Sequence, residues 1–405
     1  MAIDFTFPPE IEEVRLRARK FFQEEVAPVD AIRESDQEKY YKSIRPLMQR
    51  ARELDLWNPH MPKEWDGQGY GPIALASISA EAGRTRLGPF VINAMAPNEG
   101  NMHTLLHWGT DEQKEKYLRP MCEAKVFSCF SMTEPEVAGS DPTLLQTKAY
   151  QDGDEWVING HKWFSSGANR ASFAIVIART EDDPEVPQAA TTAFIVPTDT
   201  PGFDIVREIE TMHGPSGHSE IYLRDVRVPA ENMLGGRGQG HLLGQARLGP
   251  ARLAHCMRWI GQAETALEMM IDRAMNRYAH GSMLVEKQAI QWMIADSTIE
   301  LYQSKLMVMH AAYLIEKGEN FKPQVSMTKI HVANTLWKVI DRAIQVHGAL
   351  GYSKDTPLAD MMLGARSARL VDGADEVHMM QTARNAIAAY KDHGNTKAAT
   401  GDLPL

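Results

Sequence analysis

The apolar residues of this chain change their spacing twice, and that change limits what it can fold into more than any other feature. Up to about residue 125 they recur at helical intervals. Ile11, Val14, Leu16, Ala18 and Phe22 predict a helix over 10–26, stopped by Pro28. A second helix is expected over 41–54 and an Ala-rich one over 75–82, with a Gly- and Pro-punctuated loop over 59–72. From about 126 to 240 the signals are those of strands, at 173–179, 192–196, 203–206 and 220–228, with Pro197, Pro201 and Pro229 between them. Residues 155–158 and 161–164 flank Asn159-Gly160 and predict a hairpin with a type I′ turn, which needs positive φ at both residues.

Beyond Gly240 the helical period returns. Four sets of apolar residues each fall on one helical face: Ile260 to Ala274, Ile290 to Ile315, Val325 to Val346, and Val377, Met380, Ala383, Ile387 and Tyr390. They predict an antiparallel four-helix bundle, with Gly348 closing the third helix. The expected fold is mainly α with a central β domain. It comprises a helical domain over 1–125, a small antiparallel barrel or sandwich over 126–240, the bundle over 241–395 and a tail over 396–405.

Composition narrows the function classes. A formal charge of −10 argues against general nucleic-acid binding, which needs clustered Lys and Arg. No apolar run reaches the roughly 20 residues that span a bilayer, and no secretory or transit signal is visible at Met1, so a cytoplasmic location is expected. Cys122, Cys129 and Cys256 have no CxxC spacing, which predicts buried thiols in a reducing compartment and no structural metal.

Four segments are candidates for chemistry. Gly235-Gly236-Arg237-Gly238-Gln239-Gly240 lacks the spacing and the βαβ context of a dinucleotide fingerprint and reads better as a flexible domain connector. Met132-Thr133-Glu134-Pro135 with Ala138-Gly139-Ser140-Asp141 lets backbone and hydroxyls approach a ligand, or is a plain turn. Trp163-Phe164-Ser165-Ser166-Gly167 offers ring faces beside hydroxyls; taken alone it reads as a core aromatic pair. Val371-Asp372-Gly373-Ala374-Asp375-Glu376 precedes the last helix, with Asp375 or Glu376 suited to its N-cap or first turn. Asp372 is left over, either a solvated loop aspartate or a base desolvated by an apolar cleft.

Taken in order, these segments resemble the acyl-CoA dehydrogenase family, from about Phe5 to Tyr390. The most specific matches are Met132-Thr133-Glu134-Pro135, Asp225-Val226-Arg227-Val228-Pro229, Gln345-Val346-His347-Gly348-Ala349-Leu350-Gly351 and Asp372-Gly373. The resemblance implies FAD as cofactor and an acyl-CoA thioester as substrate, desaturated to the trans-2-enoyl-CoA. Electrons would pass to an electron-transfer flavoprotein. By the same resemblance Asp372 is the base. Thr133 and Ser166 would hydrogen-bond the flavin ring, with Phe164 packed on it where many relatives have Trp, and Met132 is a further cofactor-binding position. Ser140 would contact the pantetheine, and Arg252 and Gly373 would lie near the substrate. Arg277 would reach the FAD pyrophosphate, and Gln345 and Gly348 its adenosine part, from a neighbouring subunit, with His280 also in the cofactor set. Ala374 and Glu376 complete the cofactor set. Shared FAD implies a homodimer or a dimer of dimers.

The sequence departs from the family at several points. Asp372 stands where most relatives have Glu. Ala251 occupies the helical position that bears the base in some others. His280-Gly281 replaces Phe-Gly, and Ala374 replaces a Thr that often binds FAD. Residues 163–168, 247–252 and 372–378 look like the subgroup that uses Asp, often acts on long acyl chains and in its larger members adds a kinase-like domain. The alternative is a same-fold flavin oxidase of the nitroalkane or acyl-CoA oxidase type, and nitroalkane oxidases, which resemble this family, also use an aspartate base. A non-catalytic DNA-binding relative is at odds with the negative charge.

Overall fold

The computed structural model of the protein describes residues 6–30, 37–182 and 185–400. Met1 to Phe5 and the last five residues of the expected tail lie outside them; 397–400 form one helical turn. The chain divides into two compact units. One comprises 61–67 and 93–251; the other comprises 1–60, 68–92 and 252–405.

The first of these units is built on an eight-stranded sheet. Its strands are β1 (Ser128–Ser131), β2 (Lys148–Asp152), β3 (Glu155–Ser166), β4 (Phe173–Arg179), β5 (Thr191–Pro197), β6 (Phe203–Thr211), β7 (Gly214–Pro229) and β8 (Met233–Leu234). They run in the order β6-β7-β3-β2-β4-β5-β8, with β1 parallel to β4 and most other pairs antiparallel. β4 carries the β-branched and apolar run Phe-Ala-Ile-Val-Ile-Ala, buried on both faces. Phe173, Ile175 and Ile177 pack with Met102, Leu105, Tyr117 and Leu118 from the flanking helices. Ala174, Val176 and Ala178 face a second cluster with Trp156, Ile158, Phe203 and Leu223. The period of two thus sorts one strand between two cores.

The expected hairpin at Asn159-Gly160 does not form: β3 runs straight through it. The turn lies earlier, at 153–154, where Gly153 has φ 65°. Gly160 serves close approach instead, since a Cβ there would meet Thr147 Oγ1 at 2.2 Å. Asn159 bonds Asp225, its Oδ1 accepting from the Asp225 amide at 2.8 Å. The 235–240 segment is pinned rather than loose. The Gly238 amide donates to Thr192 Oγ1 (2.9 Å) and Arg237 Nε to Glu181 (2.5 Å).

The second unit is helical. Its main helices are Pro9–Phe21, Gln37–Glu53, Pro72–Gly83, Gln288–Glu316, Lys322–His347, Leu358–Ala368 and Asp375–His393. The Gly240–Asn276 helix joins it from Arg252 on. Pro28 does not stop the first helix. A π-turn at Phe22–Val26 precedes it, with the Ala27 amide bonded to the Phe22 carbonyl, and helix continues over Ala27–Asp30. The wider turn relieves the clash that proline otherwise makes with the preceding turn.

Three of the four predicted apolar faces form the core: Ile260, Ala263, Met270 and Ala274 pack with Leu301, Val308 and Ala312, and with Val325, Val332, Leu336, Val339 and Ala343. The fourth face is exposed: Met380, Ile387 and Tyr390 are 46–63% accessible, while the buried residues of that helix are Asp375, His378 and Ala389. Pro72–Gly83 and Gly240–Asn276 touch backbone to backbone. A Cβ on Gly83 would lie 2.1 Å from the Arg258 carbonyl oxygen, and one on Gly261 would lie 1.8 Å from that of Ala80. Among the described residues no helix is long and apolar enough to cross a membrane. All three cysteines are buried and free.

Candidate active site

The loop between Leu358–Ala368 and Asp375–His393 takes an unusual backbone course. Asp372 and Gly373 both have positive φ, 52° and 99°. For aspartate that conformation is uncommon and persists only where surroundings impose it. Here three side chains grip two successive carbonyls. Arg252 Nε donates to the Asp372 oxygen at 2.7 Å and His378 Nε2 lies 3.3 Å from it, while Lys329 Nζ donates to the Gly373 oxygen at 2.8 Å. A Cβ on Gly373 would stand 2.8 Å from His378 Nε2, so glycine is required there by both φ and space.

Asp375 fastens the other end of the loop. Its side chain is 1% accessible and accepts from Asn334 Nδ2 (2.9 Å) and Arg369 Nε (2.8 Å), with Lys329 Nζ at 3.5 Å. It is the first residue of its helix rather than the N-cap. That position is Ala374, which makes no side-chain cap, and Glu376 is exposed in the first turn.

The Asp372 carboxylate is partly sheltered from water. Its side chain is 22% accessible, and its Oδ2 lies 3.2 Å from His255 Nε2. His255 stacks on Trp259, with ring centroids 5.4 Å apart. The electrostatics follow from burial among cations. Burial, then the Arg252 guanidinium, pushes the His378 imidazole down to about 4, so it is neutral and donates through Nε2, with Ser326 Oγ 3.3 Å from Nδ1. Burial lowers Lys329, opposed by Asp375, and lowers Arg252, opposed by Asp372. The Cys256 thiol is driven up to about 12 by burial, which makes it inert.

The other candidates divide between the units. In the sheet unit the Met132-Thr133-Glu134 loop is held by a fully buried ion pair: Lys162 Nζ donates to Glu134 (2.7 Å) and to the Met132 carbonyl (2.9 Å). Glu134 also accepts from the amides of Gln146 (2.6 Å) and Thr147 (2.9 Å). The Thr133 carbonyl receives the Trp163 amide at 3.1 Å. A bulge interrupts the register between Lys162 and Ser165, where Trp163 is half-buried and Phe164 exposed, so the core reading fails for Phe164. Phe164 has φ 49° and is 43% accessible, edge-on to Trp163. Ser166 Oγ lies 2.8 Å from His218 Nδ1, and burial lowers that imidazole. Ser140 is exposed.

In the helical unit Arg277, His280, Gln345 and Gly348 are all exposed. Arg277 precedes a small hairpin, Tyr278–Ala279 with Ser282–Met283, whose turn residues His280 and Gly281 have φ 49° and 86°. This is the two-residue positive-φ turn expected of Asn159-Gly160. Gly348 (φ 65°) ends Lys322–His347, and nothing within 4 Å would oppose a Cβ on it.

The chemistry within each unit suits FAD: the sheet unit offers an exposed ring at Phe164 with hydroxyls at Thr133 and Ser166, and the helical unit separately offers an exposed guanidinium at Arg277 and an exposed carboxamide at Gln345. Among the described residues no cluster of three or more His, Cys, Asp or Glu could hold a metal ion.

Four residues escaped the sequence reading, each with a legible signal. His255 and Trp259 follow Arg252 at +3 and +7, on one helical face. Lys329 interrupts the apolar stripe between Val325 and Val332, and Lys162 shares strand parity with the buried Trp156 and Ile158.

Comparison with known proteins identifies the family and the fold. Three family models match in succession: the acyl-CoA dehydrogenase N-terminal domain over 8–125, the middle domain over 129–226 and the C-terminal domain over 238–387. The chain is 39% identical over 394 residues to acyl-CoA dehydrogenase family member 11 of Gallus gallus, covering 92% of this chain and 50% of that protein. It therefore spans about half the length of that curated relative. It is 38% identical over 407 residues to FadE2 of Mycobacterium tuberculosis, described as a probable acyl-CoA dehydrogenase, covering 96% of this chain and 98% of the relative. A solved Mycobacterium abscessus chain described as an acyl-CoA dehydrogenase superposes with a TM-score of 0.90 at 36% identity, covering 95% of this chain and all of that one. The chain belongs to the acyl-CoA dehydrogenase family, a family of FAD-dependent oxidoreductases.

Proposed function

We propose that this protein uses FAD to desaturate a medium- to long-chain acyl-CoA thioester between Cα and Cβ, with Asp372 as the base. The observation that carries this reading is the imposed backbone at 372–373. A carboxylate is held part-buried on a left-handed residue whose carbonyl is gripped by Arg252 and His378. Such strain clusters where a group must be held in place for chemistry.

Bound FAD supplies the acceptor for the β-hydride. The chain's part is positional and electrostatic. Asp372 takes the α-proton from the substrate, and its amide N–H donates to the thioester oxygen, where charge develops. Arg252 and Lys329 keep the loop from relaxing by holding its carbonyls. Thr133 and Ser166 donate to the flavin ring and Phe164 covers its face. Ser140 meets the pantetheine.

Arg277, Gln345 and Gly348 serve the FAD of a second copy, which makes a dimer or a dimer of dimers the working form. In support, Trp292, Ile299 and Tyr302 share one face of the Gln288–Glu316 helix, Met380, Ile387 and Tyr390 share one face of Asp375–His393, and all six are exposed in the single chain. An electron-transfer flavoprotein takes the electrons onward. Three buried free thiols suit a cytoplasmic setting.

Anaerobic addition of palmitoyl-CoA to the FAD-loaded protein tests the reading. The flavin absorbance bleaches in the wild type, whereas Asp372→Ala retains FAD and does not bleach. Full bleaching of that variant would assign the base elsewhere.

A further inference from the structure

We propose that His218 is the redox-linked proton acceptor of the flavin site: hydrogen-bonded to Ser166, it takes a proton from water when the ring held at that hydroxyl is reduced. The proposal rests on Ser166 lying at the flavin ring.

Strand register makes the pair. Ser166 and His218 stand directly opposite each other on the antiparallel strands β3 and β7, and Ser166 Oγ lies 2.8 Å from His218 Nδ1. The preceding Ser165 is fully buried, its hydroxyl 2.8 Å from that of Ser131, so alternation along β3 sends Ser166 to the other face. His218 also packs against Phe164, with ring centroids 5.8 Å apart. The backbone is fixed on both strands here. The Gly167 amide donates to the Gly217 carbonyl at 2.7 Å, and Glu208 accepts from the Gly217 amide.

The chemistry follows from the donor count. A serine hydroxyl has one proton, and it can give that proton to the ring only while it does not give it to His218. A neutral imidazole carries one N–H, on either nitrogen, whereas an imidazolium carries both and always donates from Nδ1. Hydride from an acyl-CoA brings two electrons and one proton, and it leaves the ring with one negative charge. That charge favours a donor at Ser166 and a cation behind it. The doubly protonated His218 supplies both, since Nδ1–H donates to Oγ and the hydroxyl proton is left for the ring. The base takes the α-proton of the substrate, so the proton on His218 is a separate one, drawn from water.

Before reduction the imidazole is neutral at neutral pH. Burial lowers it, Glu208 on β6 raises it and His213 in the β6–β7 turn lowers it further. Glu208 is shared with the Gly217 amide and with Asn169 Nδ2 at 3.5 Å, and Arg170, after β3, lies over the Phe127 ring. One added negative charge at Ser166 shifts this balance toward protonation.

The test uses FAD-loaded wild type, His218→Asn and Ser166→Ala, reduced with dithionite so that neither readout depends on which residue is the base. Asn keeps an amide near the Nδ1 position and does not titrate. The midpoint potential is expected to rise toward low pH more steeply in wild type than in His218→Asn. The extra slope is about 30 mV per pH unit, the value of a tenfold change in a two-electron couple. Ser166→Ala should shift both the flavin spectrum and the potential. Equal slopes in wild type and His218→Asn would overturn the proposal and leave the placement of Ser166 standing. A Ser166→Ala protein with the wild-type spectrum and potential at every pH would remove Ser166 from the ring, and the proposal with it.

A second readout follows the ring itself. In wild-type protein labelled with ring-15N histidine, the signal missing from His218→Asn is expected to titrate below 6.5 when the flavin is oxidised. After reduction it should titrate at least about one pH unit higher, a tenfold gain in proton affinity. The same midpoint in both redox states would overturn the proposal, and the variant serves here only to assign the signal.

Discussion

Lys329, fully buried on the Lys322–His347 helix, reaches the carbonyl oxygen of Gly373 at 2.8 Å. A lysine taken wholly out of water is costly unless every proton is used, and this one is shared between that carbonyl and Asp375. It ties the loop that carries Asp372 to the centre of the bundle. Lys329→Met leaves Asp375 buried with one cation fewer. The expected loss is about 3 kcal/mol of unfolding free energy, measured by urea titration, since breaking a buried pair costs about 3–5 kcal/mol. Palmitoyl-CoA bleaching should slow as well.

Gly373→Ala tests the loop from the other direction. The substitution puts a Cβ at φ 99° and 2.8 Å from His378 Nε2. Strain of this kind costs about 1–3 kcal/mol. The thermal midpoint should fall, and bleaching should fall further than stability predicts because the carboxylate moves with the backbone. Retention of wild-type bleaching would show that the 372–373 conformation is dispensable.

His378 sets a pH dependence of stability. The unfolded chain protonates this imidazole near 6.5, whereas burial and Arg252 withhold the proton from the folded form until about 4. The folded state is therefore fully favoured above about 6.5. It loses stability as pH falls through that window, by up to roughly 3 kcal/mol, and the loss levels off below about 4. Urea midpoints of wild type and His378→Gln at pH 7 and pH 4.5 should show a smaller drop in the variant.

Lys162→Met should act on the cofactor end. It strips the counter-charge from Glu134, whose side chain is 1% accessible, and frees the Met132 carbonyl. Stability is expected to fall by about 3 kcal/mol. FAD should be lost more readily on gel filtration, read as the absorbance ratio of flavin to protein. Lys162→Met combined with Glu134→Gln should lose less, because no lone charge remains buried.

Much of the architecture could be read from apolar spacing. Val325, Val332, Leu336 and Val339 all reached the core because a long buried face repeats its signal many times. Short or two-sided elements were harder. The Leu358–Ala368 helix has too few turns to repeat a pattern, and the last helix hides Asp375 and His378 while exposing Met380 and Ile387.

Glycine misled at one place because it serves two purposes. Gly160 makes room for Thr147, whereas Gly281 supplies positive φ. Asp372 stood out only through its motif. What distinguishes it physically is a grip by Arg252, His255 and Lys329, residues distant in sequence that only tertiary packing brings to it.

The contact of Gly83 with Arg258 and of Gly261 with Ala80 has a consequence for biosynthesis. Pro72–Gly83 leaves the ribosome about 180 residues before its partner glycine is made, an interval of roughly ten to forty seconds at ordinary elongation rates. Throughout that time the helix can pack only on elements already made, such as Pro9–Phe21, whose Arg19 pairs with Glu81, and the intervening sheet can close first on its own contacts. The glycine face of Pro72–Gly83 thus waits for the Gly240–Asn276 helix, so its seat is completed only late in synthesis.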